Sequence, residues 1–177
     1  MFQLKPGDII CCSTPFSIKS PISWLSAAIR KVTKSDWSHC AIAVSVWGRT
    51  FVSEALATGI VLRPLEDWPR TCNVDIMRPK SPIDERQWCI KALSKVGHTG
   101  YDYASLFWFQ LIFQVTGHWL GHTSASRSTD KKLYCSEYAS WMYPEQFPKW
   151  WQMSPSMVQS NSTDFDHVFT GPSSVLV

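Results

Sequence analysis

Residues 38–56 carry the strongest constraint on this chain. Two β-rich runs, SHCAIAVSV and RTFVSEAL, meet at Trp47-Gly48. Alternating apolar runs broken by a turn of this kind form an antiparallel hairpin, and a hairpin brings residues far apart in sequence onto one face. GDIICC, following Pro6-Gly7, reads as a strand before it, and GIVLRPL, CNVDIM and FDHVF as strands after it. Helical signals lie between and after the strands. SPISWLSAAIRKV has Ser20 as N-cap, Pro21 at the first helical position and Ile22, Leu25, Ile29 and Val32 at helical spacing. SPIDERQWCIKALSKVG is the clearest helix: Ser81 caps it, Pro82 opens it, Asp84 and Glu85 fill the first turn and Gly97 ends it. MSPSMVQSN suggests a short capped turn. Hairpin-connected strands flanked by separate helices mean an α+β fold. A chain of 177 residues that is 45% hydrophobic buries one core, so residues 1–177 are expected to form a single domain.

Charge and cysteine usage narrow the function. A net charge of +3, spread along the chain, excludes a nucleic-acid partner as the expectation. The start, MFQLKPGDII, lacks the basic and apolar segments of a secretory signal, so a cytoplasmic setting is expected. The six cysteines, Cys11, Cys12, Cys40, Cys72, Cys89 and Cys135, contain no C-x-x-C pair and are expected as reduced thiols. A zinc set of Cys11, Cys12, His39 and Cys40 fails on geometry, because neighbouring residues of a strand point to opposite faces. No metal or other cofactor is expected. The uncharged stretch from Ala104 to Leu120 falls short of the roughly 20 apolar residues of a membrane span. Gln110, Gln114 and His118 recur there at every fourth position, as on a core helix with one polar stripe. Such a helix could border an apolar substrate groove, so contact with a membrane surface is allowed but not required.

The chemistry starts from KLYCSEYASWMYP. A polar loop ends and Cys135 stands in the first turn of an apolar-striped helix that stops at Pro144. Unpaired N–H groups at a helix start favour a thiolate and can later hold an oxyanion. Position alone more often marks a buried structural thiol, so a base is required. Of the five histidines, His167 lies in a terminal strand, His98 and His122 in glycine-bearing loops, and His118 on the polar stripe. His39 opens a strand, where a ring can face a helix end across a cleft. Glu54, on the neighbouring strand, qualifies as an orienting acid. A two-residue Gly48-Arg49 turn would pair Ala43 with Glu54 and hold His39 too far away. A four-residue loop from Ser45 to Gly48 would pair His39 directly with Glu54. Spacing leaves both registers open.

LKPGDII, WSHCAIAV, FVSEALATGIVLRPLEDW, YDY and YCSEYASWMY, in that order, resemble the YiiX-like group of the NlpC-type cysteine peptidase superfamily. The resemblance runs roughly from Leu4 to Phe169 and is weakest between Tyr101 and Lys132. It implies a circularly permuted papain-like fold, with an antiparallel sheet packed against the helix that carries the nucleophile. It also implies Cys135 as nucleophile, His39 as general base and Glu54 as orienting acid, and so favours the register pairing His39 with Glu54. Tyr101 and Ser136 are the further candidates for holding substrate or oxyanion, beside the Cys135 backbone N–H. The group is also similar to lecithin:retinol acyltransferase-type enzymes. The expected activity is thus hydrolysis or acyl transfer at an amide or ester of a peptide, cell-wall peptide or lipid-like acyl substrate. The competing expectations are a non-catalytic peptide- or acyl-binding module on the same fold, and a metal-binding regulator, which the cysteine and histidine spacing disfavours.

Overall fold

The computed structural model describes residues 1–13, 26–31, 35–102, 112, 115–117 and 132–177. Six strands form one antiparallel sheet: β1 (Ile9–Ser13), β2 (His39–Val46), β3 (Arg49–Leu56), β4 (Gly59–Pro64), β5 (Asn73–Pro79) and β6 (Phe165–Pro172). Their order across the sheet is β4-β3-β2-β1-β5-β6. Among the described residues the named helices are α1 (Glu85–Leu93), α2 (Cys135–Met142) and α3 (Pro155–Gln159), and residues 26–31 are helical as well. The architecture is α+β. No helix among the described residues is long and apolar enough to cross a membrane.

The central strands are buried on both faces, which is why IICC and CAIAV are continuous apolar runs rather than alternating ones. On one face Ile9, Ile42, Val44 and Met77 pack under Tyr138, Ala139 and Met142 of α2 and Trp88 of α1. On the other, Ile10, Ala43, Val52, Val74 and Ile76 are covered by Leu4, Leu65, Trp68 and Leu176. Each valine, leucine, isoleucine or methionine among them contributes about 1.5–3 kcal/mol on burial. Most described tryptophans are core or partly core, as their number suggests. Trp47 is the exception, 99% exposed at the hairpin tip.

The hairpin register differs from both alternatives read from the sequence. Trp47 and Gly48 are themselves the turn, with φ of 51° and 76°, so Val46 pairs with Arg49 and Ala41 with Glu54. Two successive positive φ values make the turn whose twist matches its strands, and here a tryptophan accepts the left-handed conformation that glycine usually supplies. His39 therefore lies diagonal to Glu54 on the same face, neither opposite it nor four residues away.

The first turn of α1 also differs from expectation. Asp84, not Ser81, is the N-cap, its carboxylate accepting from the amides of Arg86 and Gln87 at 3.0 and 3.1 Å. A carboxylate adjacent to the first turn gains from the helix dipole as well as from the two amides. Ser154 caps α3 with Pro155 at its first position, as the sequence suggests. Ser20 and Pro21, and the Ala104–Leu120 helix with Gln110, Gln114 and His118, lie outside the described residues save for helical positions 112, 115 and 116.

One glycine carries the fold toward the site. Gly59 opens β4 at φ 111°, and a Cβ there would stand 2.6 Å from the Thr99 carbonyl oxygen. That oxygen accepts from Ile60 N–H at 2.9 Å, and the following residues, Gly100 to Asp102, bond to Leu133, two positions before Cys135. Replacing Gly59 by alanine is expected to cost roughly 1–3 kcal/mol, from the strained φ and the displaced Thr99. Urea denaturation would measure the loss. Amide exchange should rise at Leu133 and Asp102, whose bonds continue this chain of contacts, before it rises in β1.

Candidate active site

The helix bearing Cys135 is tied down along its length. Before it, Leu133 N–H donates to the Gly100 carbonyl at 3.0 Å and Asp102 N–H to the Leu133 carbonyl at 3.4 Å. Tyr134 is extended and caps α2, its N–H donating back to the Glu137 carboxylate at 3.3 Å. Beneath the helix the Tyr138 hydroxyl shares a 2.8 Å bond with Ser53 of β3. At its far end Tyr143 O–H donates to the Gly7 carbonyl, and the Lys91 ammonium caps the Met142 carbonyl at 2.9 Å. The start of the helix is thereby held against the start of β2.

His39 is the first residue of β2, and its ring bridges two groups. Nε2 bonds Oε2 of Glu54 at 2.7 Å. The ring also lies close enough to the Cys135 thiol for each to favour the other's charged form, and Nδ1 is the nitrogen that Glu54 leaves free. A diagonal neighbour on an antiparallel pair lies about 7–8 Å away, within reach of two long side chains. The acid itself is doubly held. Glu54 is 4% exposed, and its second oxygen pairs with Arg63 Nη2 at 2.9 Å.

Electrostatics at the three residues oppose burial and win. Burial alone pushes the Cys135 thiol up, but the charge and hydrogen bond of His39, with the amides of Cys40 and Ser136, bring it below its ordinary value. Burial would lower His39, yet the Cys135 thiolate and the Glu54 carboxylate raise it to about 10. Burial raises Glu54, while His39 and Arg63 draw it below the usual carboxylate range. All three groups thus favour their charged forms. Both shifts point toward a thiolate beside a protonated ring. The His39 side chain is 22% exposed whereas Cys135 is 1% exposed, so a ligand meets the ring edge first.

The amide contacts follow from ladder geometry. The β2–β3 ladder ends at Ala41 opposite Glu54, and the Cys40 amide just beyond it is near enough to the Cys135 sulfur to favour its thiolate. The Ser136 amide favours the thiolate as well, but its hydroxyl donates to the Met153 carbonyl at 2.7 Å, so that hydroxyl does not face the site. Tyr101 is half-buried against the core, on the segment bonded to Leu133. Of the remaining histidines, His98 is exposed, and His118 and His122 lie outside the described residues. His167 bonds Asp75 at 2.8 Å, and Gln159 and Thr170 donate to the same carboxylate, fastening β6 and α3 to β5.

Two contributors had escaped the sequence reading. Arg63 had a signal: a charge within an otherwise apolar strand, two residues from Val61, which pairs with Glu54. The Cys40 amide had none, because a backbone donor is freed by where a ladder ends.

No protein-family model matches the chain, and no curated protein matches its sequence. Among solved structures the fold is similar to the crystal structure of the metalloprotein yiiX from Escherichia coli O157:H7. The TM-score is 0.58 at 19% sequence identity, covering 96% of this chain and 98% of that one. At that identity the likeness is one of fold, and the chain has a YiiX-like fold.

Proposed function

We propose that this chain is a cysteine-dependent hydrolase or acyltransferase acting on an amide or ester bond. In this reading Cys135 is the nucleophile, His39 the general base and acid, and Glu54 the residue that orients and charges the ring. The carrying observation is the His39 ring, bonded to Glu54 at 2.7 Å and lying close to the Cys135 thiol, with all three groups biased toward their charged forms. The fold is read as a circularly permuted papain-like domain of the NlpC type spanning residues 1–177, since acid and histidine precede the cysteine in the chain.

The resting pair is a thiolate and an imidazolium. The sulfur attacks the substrate carbonyl, and the oxygen that gains charge meets the Cys135 backbone N–H, with the Tyr101 hydroxyl as a second donor. His39 then gives its proton to the departing amine or alcohol. Water or an acyl acceptor, deprotonated by His39, resolves the thioester. Glu54 keeps the ring in one orientation throughout, and Arg63 keeps Glu54 ionised. Substrates in keeping with this chemistry are peptides, cell-wall peptides and lipid-like acyl compounds.

The solved neighbour is described as a metalloprotein, which raises the question of a metal here. Among the described residues no group of three or more His, Cys, Asp or Glu side chains is arranged to hold an ion. The described donor set does not fit a metal centre. The near-complete burial of the Cys135 sulfur favours a second reading, a peptide- or acyl-binding module with a structural thiol.

Labelling with electrophilic acyl probes, followed by mass spectrometry, separates the two. At pH 7 an ordinary thiol is only a few per cent ionised, so Cys135 should react roughly tenfold or more faster than the other five cysteines. His39→Ala should abolish that advantage; equal labelling of all six cysteines would leave only the binding module. Probes of increasing chain length would then distinguish a lipid-like from a peptide-like substrate.

The pH profile of turnover should have a basic limb near 10, where the raised imidazolium loses its proton and no acid remains for the leaving group. Its acidic limb should lie below the ordinary thiol value, because the lowered Cys135 stays ionised there. Glu54→Gln removes one cause of the raised His39, so the basic limb should move down and turnover should fall roughly tenfold or more. An unchanged profile in Glu54→Gln would reduce the triad to a dyad.

A further inference from the structure

Two thiols that the reaction does not use lie beside the one it does. Cys11 of β1 and Cys40 of β2 are direct partners in the antiparallel register, and their sulfurs are 3.7 Å apart. Bonds from β2 to β1 come from odd-numbered residues such as Ala43, whose N–H donates to the Asp8 carbonyl. Cys11 and Cys40 therefore occupy a non-hydrogen-bonded pair, where Cα atoms approach to about 4.5 Å. A disulfide tolerates Cα separations of about 4.4–6.8 Å, so closing one here needs side-chain movement and little else. Cys40 also packs in one cluster with Cys135, because the helix that carries Cys135 lies against β2. All three are free thiols, and all three pack in one cluster on the helical face of the sheet.

We propose that Cys135, Cys40 and Cys11 form a thiol relay that carries oxidation from the nucleophile into a latent disulfide between β1 and β2. The proposal rests on Cys135 being the reactive thiol, and it adds a fate for that thiol under peroxide. The Cys135 thiolate attacks one oxygen of hydrogen peroxide, giving a sulfenic acid and hydroxide. Cys40 sulfur attacks the sulfenic sulfur; its proton leaves with the sulfenic hydroxyl as water, and a Cys135–Cys40 disulfide forms. Cys11 then attacks Cys40 and loses its proton, and Cys135 departs as thiolate. Net, one peroxide and two thiols become one disulfide and two waters, and the nucleophile is restored.

Direction follows from the leaving group. In thiol–disulfide exchange the thiol of lower pKa leaves faster. Cys135 is stabilised as thiolate by His39 and two amides, whereas burial raises Cys40. The mixed disulfide therefore resolves toward Cys11–Cys40, leaving Cys135 free. Burial slows the attack by Cys40, but the sulfenic acid it attacks no longer carries the Cys135 charge that helps to hold Cys40 protonated.

The test treats the intact chain with one equivalent of hydrogen peroxide, then maps disulfides and free thiols by mass spectrometry without reductant. Wild type should yield a Cys11–Cys40 disulfide, and Cys135 should alkylate within about twofold of its untreated rate. Cys11→Ser should stop at the Cys135–Cys40 disulfide and lose Cys135 alkylation until a reductant is added. Cys40→Ser, or Cys40→Ala should the serine not fold, should leave a sulfenic acid that dimedone captures. A wild-type protein that goes to a sulfinic acid at Cys135 with Cys11 and Cys40 still free overturns the relay alone. Failure of Cys135 to outpace the other thiols toward both iodoacetamide and peroxide overturns the catalytic reading and the relay with it.

Discussion

The hydrogen bond between Glu54 and His39 is the constraint on which the site depends. It spans two strands diagonally, lies almost wholly out of solvent on its carboxylate side and fixes which ring nitrogen is free. A buried carboxylate without partners would take up a proton rather than bear the desolvation cost. Arg63 on β4 and His39 on β2 hold the charge from both sides, so three adjacent strands share one electrostatic unit. The free ring nitrogen then meets a thiol whose own burial would otherwise keep it neutral.

That balance needs rigidity, because opposite charges in a poorly solvated place gain only at close range. The sheet provides it through burial on both faces of its central strands. The helix carrying Cys135 and the residues that flank it provide it through contacts to four separate regions: the Gly100–Asp102 segment, Ser53, Met153 and Gly7. Several are side-chain hydroxyls donating to carbonyls, which fix position more narrowly than apolar packing does. A helix free to slide along β2 would keep its core and lose the thiol–imidazole contact.

Fold likeness contributes to function only as a frame. A neighbour sharing the architecture at 19% identity can carry other chemistry on it, and its description as a metalloprotein belongs to that protein. The functional argument lies in three side chains and two amides. The packing that sets the Cys135 helix against β2 also puts Cys135 in one cluster with Cys40 and Cys11.

Much of this was legible in the residues. Periodic and continuous apolar runs indicated the strands, Pro and Ser the start of α3, and the turn pair Trp47-Gly48 the hairpin, because those signals are local. The nomination of His39, Glu54 and Cys135 rested on residue type, place within an element and order along the chain. Their convergence was decided by tertiary structure. A shift of the turn by one residue changes the partner of every strand position, and the observed turn lay between the two considered, leaving His39 diagonal to Glu54. Local sequence pointed to Ser81 as the α1 cap, and the structure has Asp84 instead, since both residue types suit an N-cap and only the path of the chain selects between them. The charge states are the least local property of all. They arise from Arg63, the end of a ladder that frees the Cys40 amide, and the packing that excludes water, and each of these exists only once the strands and α2 have come together.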